Sequence, residues 1–210
     1  MMRERFTSAV VCDALDAAGF PNQSPRIAFR QLTVPGVLVG RCKTTLWADM
    51  AHVDPKPYEL ELKAVDTCQP DDILIAAAGG SMRSGIWGEL LSTAARNAGC
   101  VGAIVDGAVR DVRQMAAMGF PVYALGTIIY DSKDRQRVID IDVPVEIDGV
   151  AFHPGDLVIA DMDGVVVVPR AVEADVVRAA WAKVNAENEV RDAIKAGMPA
   201  TEAFDKYGVL

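Results

Sequence analysis

The apolar residues of this chain follow two rhythms. Val10, Val11, Ala14, Leu15 and Ala18 recur at three- and four-residue spacing, which predicts an amphipathic helix with Asp13 and Asp16 on its wet side. Thr7 or Ser8 can cap its start, and Gly19 with Pro21 just beyond ends it. Residues 21–35, rich in Pro, Asn, Gln and Ser, read as loop. From Val34 to Trp47 the pattern turns extended, in two pieces around Gly36 and Gly40. Arg41 and Lys43 alternate there with apolar neighbours, as on a strand with one wet face. Tyr58 to Asp66 returns to a helical period.

Two runs lack polar alternation altogether, Ile73–Ala78 and Val101–Val105, and read as strands buried on both faces. Between them Ile86, Trp87, Leu90, Leu91, Ala94, Ala95 and Ala98 mark one helix face, opened by Gly79-Gly80-Ser81 and closed by Gly99. Strand, glycine turn, helix and strand make a βαβ unit, whose crossover is expected to be right-handed. Phe120–Ala124 adds a short strand, and Thr127–Val138 reads as polar loop. Val138–Ile147 alternates up to Asp148-Gly149, a hairpin signal. Leu157–Asp161 and Val165–Val168 flank a second hairpin. A long amphipathic helix follows at about 172–196, with Val176, Val177, Ala180, Trp181 and Val184 on one face. The expected architecture is one α/β domain over 1–210, with mixed sheets, flanking helices and a long C-terminal helix.

At 210 residues and 51% hydrophobic, the chain can bury a core of its own. A net charge of −8 argues against a nucleic-acid binder, which needs a basic face. Cys12, Cys42, Cys68 and Cys100 form no CxxC pair and no zinc pattern, so free thiols in a reducing cytoplasm are expected. Neither a signal core at the N-terminus nor a run of membrane-spanning length is present, which predicts a soluble protein with no membrane partner.

The chemistry gathers at one sheet edge. Parallel strands 73–77 and 101–105 place Gly79–Arg83 beside Asp106–Asp111. A glycine turn into a helix offers backbone N–H groups to an anion, with Ser81 or Ser84 able to cap. The turn matches neither the dinucleotide nor the phosphate-loop motif, so a small carboxylate fits better than a nucleotide. Asp106-Gly107 reads as a turn. Past it, Arg110 can clamp a carboxylate through two parallel hydrogen bonds, and Asp111 is a hard oxygen ligand for Mg²⁺ or Mn²⁺. The plain alternatives are a tight turn and two charges that cap and solubilise a loop. His52 and Asp54 could bind a metal or move protons, although a lone His is more often structural. Arg135 and Arg137 could reach a second substrate carboxylate, or simply form a solvated face.

Gly79-Gly80-Ser81, Gly85-Ile86-Trp87-Gly88-Glu89-Leu90-Leu91, Asp106-Gly107-Ala108-Val109-Arg110-Asp111, Gly119-Phe120-Pro121-Val122 and the stretch from Pro154 to Val165 occur in a recognisable order. In these the chain resembles the RraA-like proteins and the class II 4-hydroxy-4-methyl-2-oxoglutarate (4-carboxy-4-hydroxy-2-oxoadipate) aldolases, from the Asp13-Ala14-Leu15 helix to the C-terminal helix. The resemblance implies a swivelling β/β/α fold, assembled as a trimer or a dimer of trimers with sites between subunits. It implies Mg²⁺ or Mn²⁺ held by Asp111, partly through water, and Arg110 binding the pyruvoyl part and stabilising the enolate. It implies a carboxylate held by backbone amides around Gly80, Ser81, Met82 and Arg83, and Glu89 near the site. Glu187 from the neighbouring subunit is expected to reach the metal's water shell. The implied activity is a divalent-metal-dependent lyase that cleaves a small 2-oxo acid through a pyruvate enolate, by retro-aldol cleavage, oxaloacetate decarboxylation or both. The other branch of the resemblance is a non-catalytic regulator that binds another protein, and the intact Arg110–Asp111 pair argues for the enzyme. A methyltransferase acting on a quinone precursor is a third reading, with no cofactor loop to support it.

Overall fold

In the computed structural model, which describes residues 1–208, the two unalternating runs lie side by side in the middle of an eight-stranded mixed sheet. In chain order the elements are α1 (Met2–Arg5), α2 (Ser8–Ala17), β1 (Arg30–Gln31), β2 (Leu38–Asp49), α3 (Glu59–Asp66), β3 (Asp72–Trp87), α4 (Glu89–Asn97), β4 (Gly102–Val109), α5 (Val112–Ala117), β5 (Val122–Thr127), β6 (Gln136–Ile141), β7 (Val145–Ile147), β8 (Val150–Phe152), β9 (Leu157–Ala160), β10 (Val165–Val168), α6 (Glu173–Lys195) and α7 (Ala200–Tyr207). The sheet order is β1-β5-β4-β3-β2-β9-β10, and β6, the eighth strand, pairs antiparallel with β2. The pairs β2–β3, β3–β4 and β4–β5 are parallel, and α3, α4 and α5 make the crossovers. Three consecutive βαβ units therefore bring the carboxyl ends of β2 to β5 to one edge, where ligands bind in open α/β sheets.

The absence of polar alternation has a direct cause. Leu74, Ala76, Ala103 and Val105 face a core shared with Trp87, Met115 and Phe120. Ile73, Ile75 and Ile104 face the opposite side, toward Tyr123, Phe152 and Val158. A third cluster joins α2 and α6 to the β9–β10 hairpin through Phe6, Leu15, Ile159, Val166 and Val176. Both faces of the central strands are covered, so neither can afford a polar row.

Several expectations change. β2 is one strand, unbroken at Gly40, where an added Cβ would sit 2.4 Å from the Asp71 carbonyl oxygen. Lys43 is buried rather than wet, its Nζ donating to Asp142 Oδ2 (2.8 Å) and Thr67 Oγ1 (2.9 Å). Gly79-Gly80 does not open a helix. Both glycines have positive φ (60° and 73°) and bend β3, whose pairing with β4 shifts register from Ala77 to Trp87. Ile86 and Trp87 are the buried end of that strand; Trp87 pairs with Val109 and stacks on Phe120. α4 starts only at Glu89. Nor does Asp106-Gly107 break its strand, because β4 runs on to Val109. Ala18 lies past α2 and is exposed. The loop expected over Thr127–Val138 ends at Gln136, where β6 begins, and α7 adds a helix beyond those the sequence pattern predicts. The four cysteines are free thiols, with Cys42, Cys68 and Cys100 buried. Among the described residues no helix is long and apolar enough to cross a membrane.

The β9–β10 hairpin also anchors α2. Thr7 caps the helix through Val10 N, and Asp161 accepts from the Ser8 amide (2.7 Å) and the Ser8 hydroxyl (2.6 Å). Replacing Asp161 by alanine strands the buried Ser8 donors, and a loss of about 1–2 kcal/mol is expected in urea unfolding. An unchanged midpoint would mean that water replaces the carboxylate without cost.

Candidate functional site

Arg110 and Asp111 are aimed by the way β4 ends. The Arg110 amide donates to the Trp87 carbonyl (2.9 Å), which fixes the backbone to β3. Asp111 then turns into the left-handed region (φ 56°, ψ 31°) to start α5. Asp tolerates this conformation better than most side chains. The turn puts two consecutive charged side chains at one opening, with Arg110 Nε 3.8 Å from Asp111 Oδ2. Asp111 Oδ2 also accepts a long bond from the Glu89 amide (3.4 Å), the first residue of α4.

Glycines make the close approach possible. An added Cβ at Gly88 would lie 2.7 Å from Asp111 Oδ2, and one at Gly85 would lie 2.8 Å from the Ile128 carbonyl oxygen and 3.0 Å from Arg110 Cβ. The opening leads into a cavity of about 330 Å³. Arg110, Asp111, Tyr58, Glu61, Asp131 and Ser132 supply its polar wall, and Leu62, Ile86, Leu90 and Leu91 its apolar one.

Arg110 is held from behind. Its Nη2 lies 2.7 Å from Asp131 Oδ2, while Asp131 Oδ1 accepts from the Tyr58 hydroxyl (2.7 Å) and the Lys133 amide (2.8 Å). Burial opposes ionisation of Asp131, but the Lys133 amide, the Tyr58 hydroxyl and the Arg110 charge outweigh it and hold its carboxyl below the usual range. Burial and the hydrogen bond to Asp131 push the Tyr58 hydroxyl up to about 12, so it remains a donor. Glu61 is 8% exposed, and burial followed by the nearby Asp131 charge pushes its carboxyl up to about 8. The Ser132 hydroxyl is its hydrogen-bond partner, at 3.5 Å.

Of the residues singled out in the sequence, Arg110, Asp111 and Glu89 come together here. The Glu89 carboxylate itself turns along α4 to accept from the Thr93 hydroxyl (2.9 Å). Gly80, Ser81, Met82 and Arg83 lie outside the cavity wall, on the bulged part of β3. The expected cradle of amides at a helix start is not formed there. The Gly79 and Gly80 amides turn to the buried Asp106 carboxylate, and Ser81 Oγ donates to Asp49 Oδ1 (2.8 Å) while accepting from the Arg83 amide (3.3 Å). Glu187 sits on α6 between Lys183 (4.0 Å) and Arg191 (3.6 Å), away from the cavity of its own chain. His52 is exposed, and Asp54 pairs with Arg137 (3.3 Å). Arg135 stacks on Tyr130 and donates to the Asp131 and Lys133 carbonyls. Arg135 braces the loop that carries Asp131, Arg137 is held on Asp54, and neither lines the cavity. No group of three or more His, Cys, Asp or Glu side chains is gathered for a metal among the described residues.

Tyr58, Glu61, Asp131 and Ser132 escaped the reading of the sequence. Only Glu61 left a signal: it shares a helical phase with Ala64 and Val65, so an acid occupies a core-facing position.

A family model described as RraA-like, Aldolase/RraA, matches residues 8–167. A protein of Halalkalibacterium halodurans, provisionally named a 4-hydroxy-4-methyl-2-oxoglutarate aldolase, is 37% identical over 144 residues, 68% of each chain. An uncharacterised protein of Pseudomonas syringae pv. tomato has a solved structure similar to this one, with TM-score 0.86 and 25% identity, covering 97% of this chain and 91% of that one. Streptomyces coelicolor RraAS2, described as an unusual member of the RNase ES inhibitor RraA protein family, aligns with TM-score 0.79 and 29% identity over 89% of this chain and 92% of its own.

Proposed function

The chain belongs to the RraA-like (Aldolase/RraA) family, and on that footing we propose that it is a divalent-metal-dependent lyase that cleaves a small 2-oxo acid through a pyruvate enolate. The observation that carries this reading is the shared opening of Arg110 and Asp111, one a fixed cation and the other a half-exposed hard-oxygen ligand 3.8 Å from it. The aldolase name of the Halalkalibacterium relative supports it.

The residues fit a magnesium or manganese ion. Asp111 Oδ2 has one long amide bond, the carboxylate is 39% exposed, and Gly88 leaves open the space beside it that a Cβ would fill. A single protein carboxylate suits a cation that keeps most of its waters and does not suit zinc, which takes three or four protein ligands. When bound, the ion supplies Lewis-acid polarisation of the 2-oxo group. Arg110 binds the pyruvoyl end of the substrate and, as the C3–C4 bond breaks, stabilises the negative charge that develops on the 2-oxo oxygen. Asp131 keeps the guanidinium aimed while that charge builds. The second fragment leaves as a carbonyl compound in retro-aldol cleavage and as CO₂ from oxaloacetate.

The working assembly in this reading is a homotrimer or a dimer of trimers in which Glu187 of a second copy reaches the metal's water shell. Leu90 and Ile129, 77% and 87% exposed beside the opening, are side chains that a covering subunit would bury.

The test is pyruvate release from oxaloacetate with Mg²⁺ or Mn²⁺, measured above the rate of the free metal and again with a chelator. Turnover that the chelator abolishes is expected. An intact oligomer that gives no turnover with metal present would favour the regulatory branch, a protein that binds another protein, as the likeness to RraAS2 suggests.

A further inference from the structure

We propose that Glu61 is the proton donor of this site, delivering a proton from its carboxylic acid in the wall of the Arg110 cavity to C3 of the pyruvate enolate. The proposal rests on the lyase reading and adds to it a group for the step that completes the reaction.

Geometry places the acid. Glu61 is the third residue of α3 and turns inward with Ala64 and Val65, lining the same cavity as Arg110 and Asp111. Apolar residues would serve the packing of α3 better, since a buried carboxyl costs free energy unless it is paired. Among the described residues no cation forms an ion pair with it. Of the elements packed on α3, β6 turns Arg137 to Asp54, α4 turns Glu89 onto Thr93, and β2 turns Lys43 to Asp142. The charges that remain facing Glu61 are Asp131 and Arg110. Arg110 is already matched by Asp131, which also holds the Tyr58 hydroxyl and the Lys133 amide. One cation faces three carboxyls, Asp131 at 2.7 Å, Asp111 at 3.8 Å and Glu61, and Glu61 is the most buried of them. Burial and the Asp131 charge raise Glu61 to about 8, so at neutral pH it carries its proton. Two carboxyls with environments that push them apart are the usual arrangement for an acid beside an ionised partner.

The step balances. The C3–C4 electron pair moves into the C2–C3 double bond as CO₂ leaves from oxaloacetate, and the 2-oxo oxygen takes the charge; in retro-aldol cleavage the C4 hydroxyl gives its proton to water as its oxygen becomes the carbonyl of the leaving fragment. The enolate then collapses: the C=O bond reforms and the C2–C3 π pair forms a C–H bond with the Glu61 proton. Water reprotonates the Glu61 carboxylate.

The experiment compares the wild type with E61Q, in the Mg²⁺-loaded oligomer. Exchange of the pyruvate methyl protons in D₂O is followed by NMR, alongside oxaloacetate turnover, from pH 6 to 9. General acid–base catalysis contributes typically about 10²–10⁴-fold, and E61Q is expected to lose about a hundredfold in exchange. Wild-type exchange starts from pyruvate and needs Glu61 as the carboxylate that takes the C3 proton, so it is expected to rise as pH rises through about 8, a limb that E61Q lacks. A wild type that decarboxylates oxaloacetate beside an E61Q that exchanges normally overturns the proton donor and leaves the lyase. A wild type without metal-dependent turnover overturns the lyase and the donor with it. Unfolding gives a readout independent of activity. The folded carboxyl titrates near 8 and the unfolded one near 4.5, so wild-type stability is full below 4.5 and is lost as pH rises toward 8. E61Q is expected to lose that slope; equal slopes would overturn the neutral acid and the proposal.

Discussion

Replacing Arg110 by alanine is expected to lower metal-dependent pyruvate formation from oxaloacetate by about 10²–10³-fold, with the fold intact. Removing one preorganised donor from a developing oxyanion costs that much in enzymes that depend on it. The guanidinium is the cation of this cavity and is fixed before substrate arrives by its 2.7 Å contact with Asp131. The side chain is 36% exposed, so its loss opens no cavity in the core. Asp131 retains the Tyr58 hydroxyl and the Lys133 amide. Unfolding midpoints should therefore move little while kcat collapses. Lysine at 110 should recover little of the rate, because an ammonium cannot present two parallel donors to substrate while contacting Asp131. Steady-state rates for both variants beside the wild type decide the matter. An alanine variant within threefold of the wild type would remove Arg110 from the chemistry.

Arg110 and Asp111 were legible in the sequence because they follow a run buried on both faces, and such a run fixes both strand and sheet edge with little help from elsewhere. Gly79-Gly80 was not, because a glycine pair serves a helix-opening turn and a bent strand equally well. Ile86 and Trp87 happen to keep phase with Leu90 and Leu91, and only the partners Val109 and Phe120, far along the chain, decide that they end β3. Lys43 failed for a similar reason: its wet face is dry because Thr67 and Asp142 close over it. Asp131 lay in a polar loop among other acids and acquires meaning only through its contact with Arg110. The two charges at the mouth of the candidate site were thus readable from local pattern, and the groups that tune them were not. An ion-pair partner or a raised carboxyl is a property of tertiary contacts, and no periodicity encodes it.

Gly88 separates those two kinds of information in a single substitution. Its backbone is extended (φ −155°, ψ −168°), so alanine adopts it without strain. The obstacle is a side chain: the added Cβ would lie 2.7 Å from Asp111 Oδ2 and 3.3 Å from Arg110 Cγ. The Asp111 carboxylate is 39% exposed and can swing away, so the fold should lose less than about 1 kcal/mol, as surface changes usually do. Mn²⁺ binding at Asp111, in the proposed reading, should lose much more. A one-carboxylate site depends on where that carboxylate points, and shell residues that orient a ligand are worth about 10–100-fold in affinity or activity. G88A is expected to weaken Mn²⁺ binding and turnover by that factor, approaching Asp111→Asn, which removes the anionic ligand altogether. Gly85 provides the contrast: its added Cβ meets the Ile128 carbonyl oxygen at 2.8 Å, backbone that cannot swing aside, so G85A should lower stability and activity together. Mn²⁺ titration and unfolding of the three variants distinguish the cases. Wild-type Mn²⁺ affinity in both G88A and D111N would show that the ion, if one binds, does not bind at Asp111.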